Sequence, residues 1–202
     1  MGMKKTFTAF ILLAFLANNA EPSDEALIPA GEFLMGTDQG TPAERPIHKV
    51  ELGGFFLDRF EVSNQNYEAF DPGFHRSSAS SCDRCPATRV SWYEAQAYCQ
   101  SLNRRLPSEA EWEKAARGTD ARHYPWGNEP DALNANIRGM GDNYRNTSPV
   151  GKFPEGASPY GVMDMSGNVW EWTEDWYQPY SGNEYDNDFF GEKFKVMKGG
   201  SW

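Results

Sequence analysis

Gly161-Val-Met-Asp-Met-Ser-Gly-Asn-Val-Trp-Glu-Trp-Thr173 is the stretch on which the reading of this chain turns. Two carboxylates, Asp164 and Glu171, flank a Ser166-Gly167-Asn168 turn. Gly167 can take φ > 0 and bring backbone carbonyls inward. Carboxylate, amide and carbonyl oxygens converging from one short loop are the donors that a hard cation such as Ca²⁺ takes. Trp170 and Trp172 stand two apart, so on a strand both lie on one face, with Val169 and Glu171 on the other. Without a cation, the same residues read as a polar turn between two aromatic-rich core strands.

Outward from that turn, composition sets the class. The 202 residues are enough for one domain with a sizeable core. A formal net charge of -10 argues against nucleic acid, whose phosphates are bound by clustered Lys and Arg. Aromatic residues make up 14% of the chain, seven of them Trp, which points to aromatic packing between irregular segments. Lys4-Lys5 followed by the apolar run from Phe7 to Ala17 has the layout of a secretory signal ending near Ala20. A buried N-terminal helix is the alternative. The run is too short for a comfortable membrane span. The expectation is a signal over 1–20 and one exported domain over 21–202.

In chain order, Glu21 to Leu27 reads as a polar leader and Phe33 to Gly36 as a short strand ending in a turn. His48–Leu52 and Phe55–Arg59 read as a strand pair around Gly53-Gly54. Ser63 caps a short helix over 64–70, with Tyr67 and Phe70 inward. Ser91 with Glu94 opens a helix to about Leu102, and Ser108 with Glu111 opens another to about Arg117. On the first, Trp92, Ala95 and Cys99 share a face. On the second, Ala110, Trp112, Ala115 and Ala116 pack while Glu109, Glu113 and Lys114 stay wet. Beyond Gly118 no long periodic run appears, yet the aromatic content argues for ordered loops. Cys82-Asp-Arg-Cys85 reads as a local disulfide ahead of a redox pair or a zinc half-site. His48, His75 and His123 are too dispersed for zinc hydrolase chemistry.

The wording of the central stretch, D-M-x-G-N-V-W-E-W, resembles the signature of the formylglycine-generating enzyme (sulfatase-modifying factor) family. The likeness continues through Ile28 to Gly36, Glu44 to Val50, Phe60 to Tyr67, Val90 to Cys99, Arg105 to Arg117, Tyr124 to Asn128 and Lys198 to Trp202. It implies an α+β, C-type-lectin-like fold with two main helices, short strands and long ordered loops. It implies one Ca²⁺ held by the side chains of Asn136 and Asp142 and the carbonyls of Ile137 and Tyr144. A second would be held by the side chains of Asp164 and Glu171 and the carbonyls of Gly167 and Val169. Ser201 and Trp170 match positions in the family's catalytic pocket.

Family enzymes oxidise a sulfatase cysteine to formylglycine with O₂ and Cu(I) held by two cysteines that follow the G-G-S-aromatic motif; soft thiolates suit Cu(I). Cys82, Cys85 and Cys99 match neither, and the sequence stops at Gly199-Gly200-Ser201-Trp202. The resemblance therefore implies a domain missing its C-terminal segment, with the aromatic face of Trp170, Trp172 and Trp202 less covered. It also implies a Cys99 without its family partner and open to thiol reagents. Two functions are compatible with it. One is the copper oxidase acting on a sulfatase or another protein or peptide. The other is a non-catalytic module binding a surface carbohydrate or protein.

Overall fold

The computed structural model describes residues 24–138 and 143–202; the expected signal and Asp142 lie outside the described residues. Four strands come first: Glu25–Ile28 (β1), Gly31–Met35 (β2), His48–Leu52 (β3) and Phe55–Asp58 (β4). The segment expected as a polar leader is thus partly a strand. Ala26 and Ile28 are fully buried and Leu27 is exposed, the period-two pattern of a half-buried strand. The expected β3–β4 hairpin does not form either. β2 pairs antiparallel with β3, and β1 with β4. Packing decides between these pairings. Ala26 and Ile28 share one core with Trp112, Ala115, Ala116, Val162 and Met165, and Phe55 and Leu57 lie against it, which needs β1 and β4 side by side.

The helices form where their caps predict. Ser63 accepts from the Asn66 amide ahead of Asn64–Phe70 (α1), burying Tyr67 and leaving Phe70 at the rim. Capping boxes open Trp92–Ser101 (α2) and Glu109–Arg117 (α3). On α3 the wet residues are misassigned. Glu113 and Lys114 are 4% and 1% exposed. Glu113 accepts from the Gly36 amide, Arg117 and Lys198, and Lys114 donates to the carbonyls of Pro29 and Gly31. Charge on this face is buried because Lys114 fastens the β1–β2 junction at Pro29 and Gly31 while Glu113 fastens Gly36 just after β2.

After α3 the chain is irregular until Glu171–Trp176 (β5), which pairs antiparallel with Lys195–Lys198 (β6). Only a short 3-10 turn at Pro154–Gly156 interrupts the described loops between them and α3. Among the described residues no helix is long and apolar enough to cross a membrane.

Candidate functional site

The Asp164–Glu171 turn sits where the α3 core meets β5. Its backbone is left-handed at Asp164 (φ 59°), Gly167 (φ 92°) and Asn168 (φ 58°). Gly167 is required by space as well as by φ: a Cβ there would lie 2.3 Å from the Asn136 carbonyl oxygen. That contact brings together the two groups that the sequence assigned to separate cation sites. Asn168 fixes it. Its amide N–H donates to the Asn136 carbonyl at 3.0 Å, and its side-chain Oδ1 accepts from Asn136 Nδ2 (3.0 Å) and from the Ser148 amide (2.9 Å).

Asn136 is 1% exposed. Its Nδ2 donates to the carbonyl of Asn146 and to Asn168, so the amide orientation is set by the network. Among the described residues, Oδ1 is left buried without a hydrogen-bond partner. A buried amide oxygen carries a penalty unless something positive faces it.

Sequence reasoning missed Glu61. It comes from the segment ahead of α1, far from the turn in sequence, and had been absorbed into the motif Phe60-Glu-Val-Ser-Asn without a role. Its Oε2 accepts from Asn168 Nδ2 at 2.5 Å and its Oε1 from the Val169 amide at 3.2 Å. Burial holds the Glu61 carboxyl well above its ordinary range, and the charges of Asp164 and Glu171 add to this. Burial also raises Asp164, opposed by the Gly151 amide that donates to its Oδ2 at 2.6 Å. Glu171 is pushed up to about 7, by burial first, with the Trp112 indole donating to its Oε2 and opposing the shift. Three carboxylates thus sit close enough for charge on one to disfavour ionisation of Glu61 and Glu171, and among the described residues no Lys or Arg is a hydrogen-bond donor to them. Among the described residues, however, no three His, Cys, Asp or Glu side chains converge enough to hold an ion by themselves. A cation here needs amide and carbonyl oxygens as well, the donor mix that a hard ion accepts.

Trp170 stands at the end of this braced turn and is 54% exposed. It lies one residue ahead of β5, and it lines one cleft together with Trp172. Trp170 lines two clefts. The first, of about 450 Å³, lies between β4, α2 and the start of β5 and is lined by Phe55, Leu57, Tyr98, Cys99, Glu61 and Glu171 among others. The second, of about 480 Å³, is lined by Tyr177, Tyr180, Phe189, Phe194, Met197 and Lys198. Ser201 is half-buried and lines neither cleft. Its segment is nevertheless docked on the turn: Gly167 donates to the Gly199 carbonyl and the Trp202 amide to the Asn168 carbonyl.

All three cysteines lie among the described residues. Cys82 and Cys85 form the expected local disulfide, and Cys99 is free. Burial pushes the Cys99 thiol up, with the charge of Asp58 adding. Its place in the first cleft gives access, while its raised pKa opposes the reactivity expected from sequence.

A family model described as the sulfatase-modifying factor enzyme 1-like domain matches residues 14–202. The hercynine oxygenase of Mycolicibacterium smegmatis is 32% identical over 87% of this chain and 53% of its own. The mouse formylglycine-generating enzyme is 32% identical over 87% of this chain and 65% of its own. The mouse inactive C-alpha-formylglycine-generating enzyme 2 is 31% identical over 87% and 73%. The chain thus spans about half the length of the hercynine oxygenase it matches. Among solved structures, PvdO from Pseudomonas aeruginosa superposes with a TM-score of 0.73 at 30% identity, covering 88% of this chain and 82% of that one. The helices, paired short strands and ordered loops are accordingly a C-type-lectin-like α+β fold.

Proposed function

Because the chain belongs to the sulfatase-modifying factor enzyme 1-like family, we propose that it is a calcium-braced recognition module whose Trp170 clefts take a peptide segment of a partner protein, a sulfatase or another exported polypeptide. By the family resemblance, Asn136 and the carbonyls of Ile137 and Tyr144 would hold one cation, with Asp142, which lies outside the described residues, as a further donor. Asp164, Glu171 and the carbonyls of Gly167 and Val169 would hold the other. Calcium would supply the positive charge that the orphaned Asn136 Oδ1 and the three carboxylates call for. The observation that carries the reading is Trp170, a large aromatic more than half exposed on a turn held by buried hydrogen bonds. A rigid exposed aromatic gives contact area with little rotamer entropy to lose, which is why Trp anchors interfaces. The signal-like Lys4 to Ala20 segment and the Cys82–Cys85 disulfide support a place outside the cytoplasm.

The second reading is oxidation of a sulfatase cysteine to formylglycine with copper and O₂. The docking of the Ser201 segment on the Trp170 turn favours it. The cysteines present do not fit a two-thiolate copper site: Cys82 and Cys85 are bonded to each other, and Cys99 sits on α2. The residues in hand therefore supply Trp170 on the cleft wall, with the Ser201 segment docked behind it on the turn, and no step through copper. A peptide carrying C-x-P-x-R decides between the readings. Quenching of Trp fluorescence, abolished by Trp170→Ala, with no aldehyde product by mass spectrometry under copper and O₂, supports the recognition module. An aldehyde product establishes the oxidase. Identical titrations for the wild type and Trp170→Ala would refute the cleft assignment.

A further inference from the structure

The two oxygen-rich groups are joined by bonds that serve neither as cation donors. Asn168, 1% exposed, spends its amide N–H on the Asn136 carbonyl and its Oδ1 on Asn136 Nδ2 and the Ser148 amide. It spends its Nδ2 on Glu61 Oε2. The other oxygen of Glu61 holds the amide of Val169, whose carbonyl belongs to the second group. Gly167, also of the second group, packs on the Asn136 carbonyl closely enough to exclude a Cβ. An ion at Asn136 Oδ1 thus freezes an amide whose opposite end is tied, through Asn168 and Glu61, to the backbone that presents Val169.

We infer that Asn168, clamped by Glu61, couples the two sites, so that a divalent cation at one raises the affinity of the other; this rests on the calcium reading above. The mechanism is shared ordering. The first ion fixes the Asn136–Asn168–Glu61 strut, and the second meets a turn already set, with less conformational entropy left to lose. Glu61 and Asn168 are positioning residues in this scheme and donate to neither ion.

Calcium titration calorimetry on the chelator-treated full chain tests it. Glu171→Gln removes an anionic donor of the second site, and Asn136→Ser removes the orphaned oxygen of the first. The coupling predicts that each substitution weakens the surviving site by about five-fold or more, the low end of ordinary coupling between sites. In a Glu61→Gln background, adding Glu171→Gln should leave the Asn136 site unchanged within about two-fold, because the strut is already broken. Two calcium equivalents in the wild type, with the Asn136 site unmoved by Glu171→Gln, would overturn the coupling and leave the calcium reading standing. No uptake by the wild type would overturn both. Circular dichroism checks each variant. Should Asn136→Ser not fold, the Glu171→Gln and Glu61→Gln comparison decides alone.

Discussion

On the calcium reading proposed above, removing calcium should make the stability of this protein fall as pH rises, and restoring it should reduce that fall. The cause is the carboxylate group around the Asp164–Glu171 turn. Without a cation, burial pushes Glu171 from 4.5 up to about 7. A carboxyl raised on folding contributes stability below its unfolded pKa and loses it as pH climbs through the folded one, so the window is pH 4.5 to 7. Each pH unit of displacement is about 1.4 kcal/mol, which gives about 3 kcal/mol for Glu171. Glu171 is half-buried and lines the adjoining cleft, so solvent screening reduces this; about 2 kcal/mol is the size to look for. For a chain of this length that is roughly 4–8 °C in Tm. Glu61 and Asp164, raised in the same direction, add to it. Carboxylates lowered by ion pairs, such as Glu111 and Glu113, titrate below the window and do not contribute to it. The assay is thermal unfolding at pH 5.5 and 8 in EDTA and in calcium. The Tm gain from calcium should be small at pH 5.5 and largest at pH 8. Glu171→Gln, having no charge to bury, should raise the EDTA-treated Tm at pH 8 and shrink the calcium response. Superimposed EDTA and calcium curves at pH 8 would refute the argument.

Further expectations follow from single contacts. Glu113→Ala takes one carboxylate from Lys198, which keeps Glu109, and one from Arg117, which keeps the carbonyls of Gly36, Ala121 and Arg122, and should cost about 1–3 kcal/mol in urea unfolding. Lys114→Ala leaves the Pro29 and Gly31 carbonyls without their donor, for a loss of about 2–5 kcal/mol. Gly167→Ala drives a methyl into the Asn136 carbonyl at positive φ, and should give either no folded protein or a loss above about 3 kcal/mol by the same measurement. Cys99 should label slowly with a thiol reagent at pH 7 and accelerate above pH 9; full labelling within the mixing time at pH 7 would contradict its raised pKa.

What could be read from sequence was local chemistry. Ser63, Ser91 and Ser108 announce their helices because a cap acts within three residues of itself. Cys82 and Cys85 announce their bond for the same reason. What could not be read was decided by partners distant in the chain. The β1–β4 and β2–β3 pairings depend on which residues meet α3, and Gly53-Gly54 alone looked like a hairpin turn. Glu113 and Lys114 sit on the face that helical period calls wet. The groups that bury them, Lys198 and the carbonyls of Pro29 and Gly31, lie about 85 positions away. Asp164 and Glu171 were found through their motif, but Glu61 was not, because a lone Glu before a helix carries no signal of the turn it will clamp.

The same distinction accounts for how a domain with so little regular structure keeps a defined site. Asn168 satisfies both ends of its amide on other loops, and Asn64 Nδ2 bonds the carbonyls of Ser80 and Cys82. Buried asparagines thus take the place of the strand ladders that would otherwise hold these backbones. Such a hub is specific because each bond has one geometric partner. It is also intolerant, since removing one side chain leaves several buried groups unpaired at once. A cation beside Asn136 Oδ1, as proposed above, would complete the hub electrostatically. In the function proposed above, calcium would act on recognition through stability: it would fix the turn that carries Trp170 without touching the ligand.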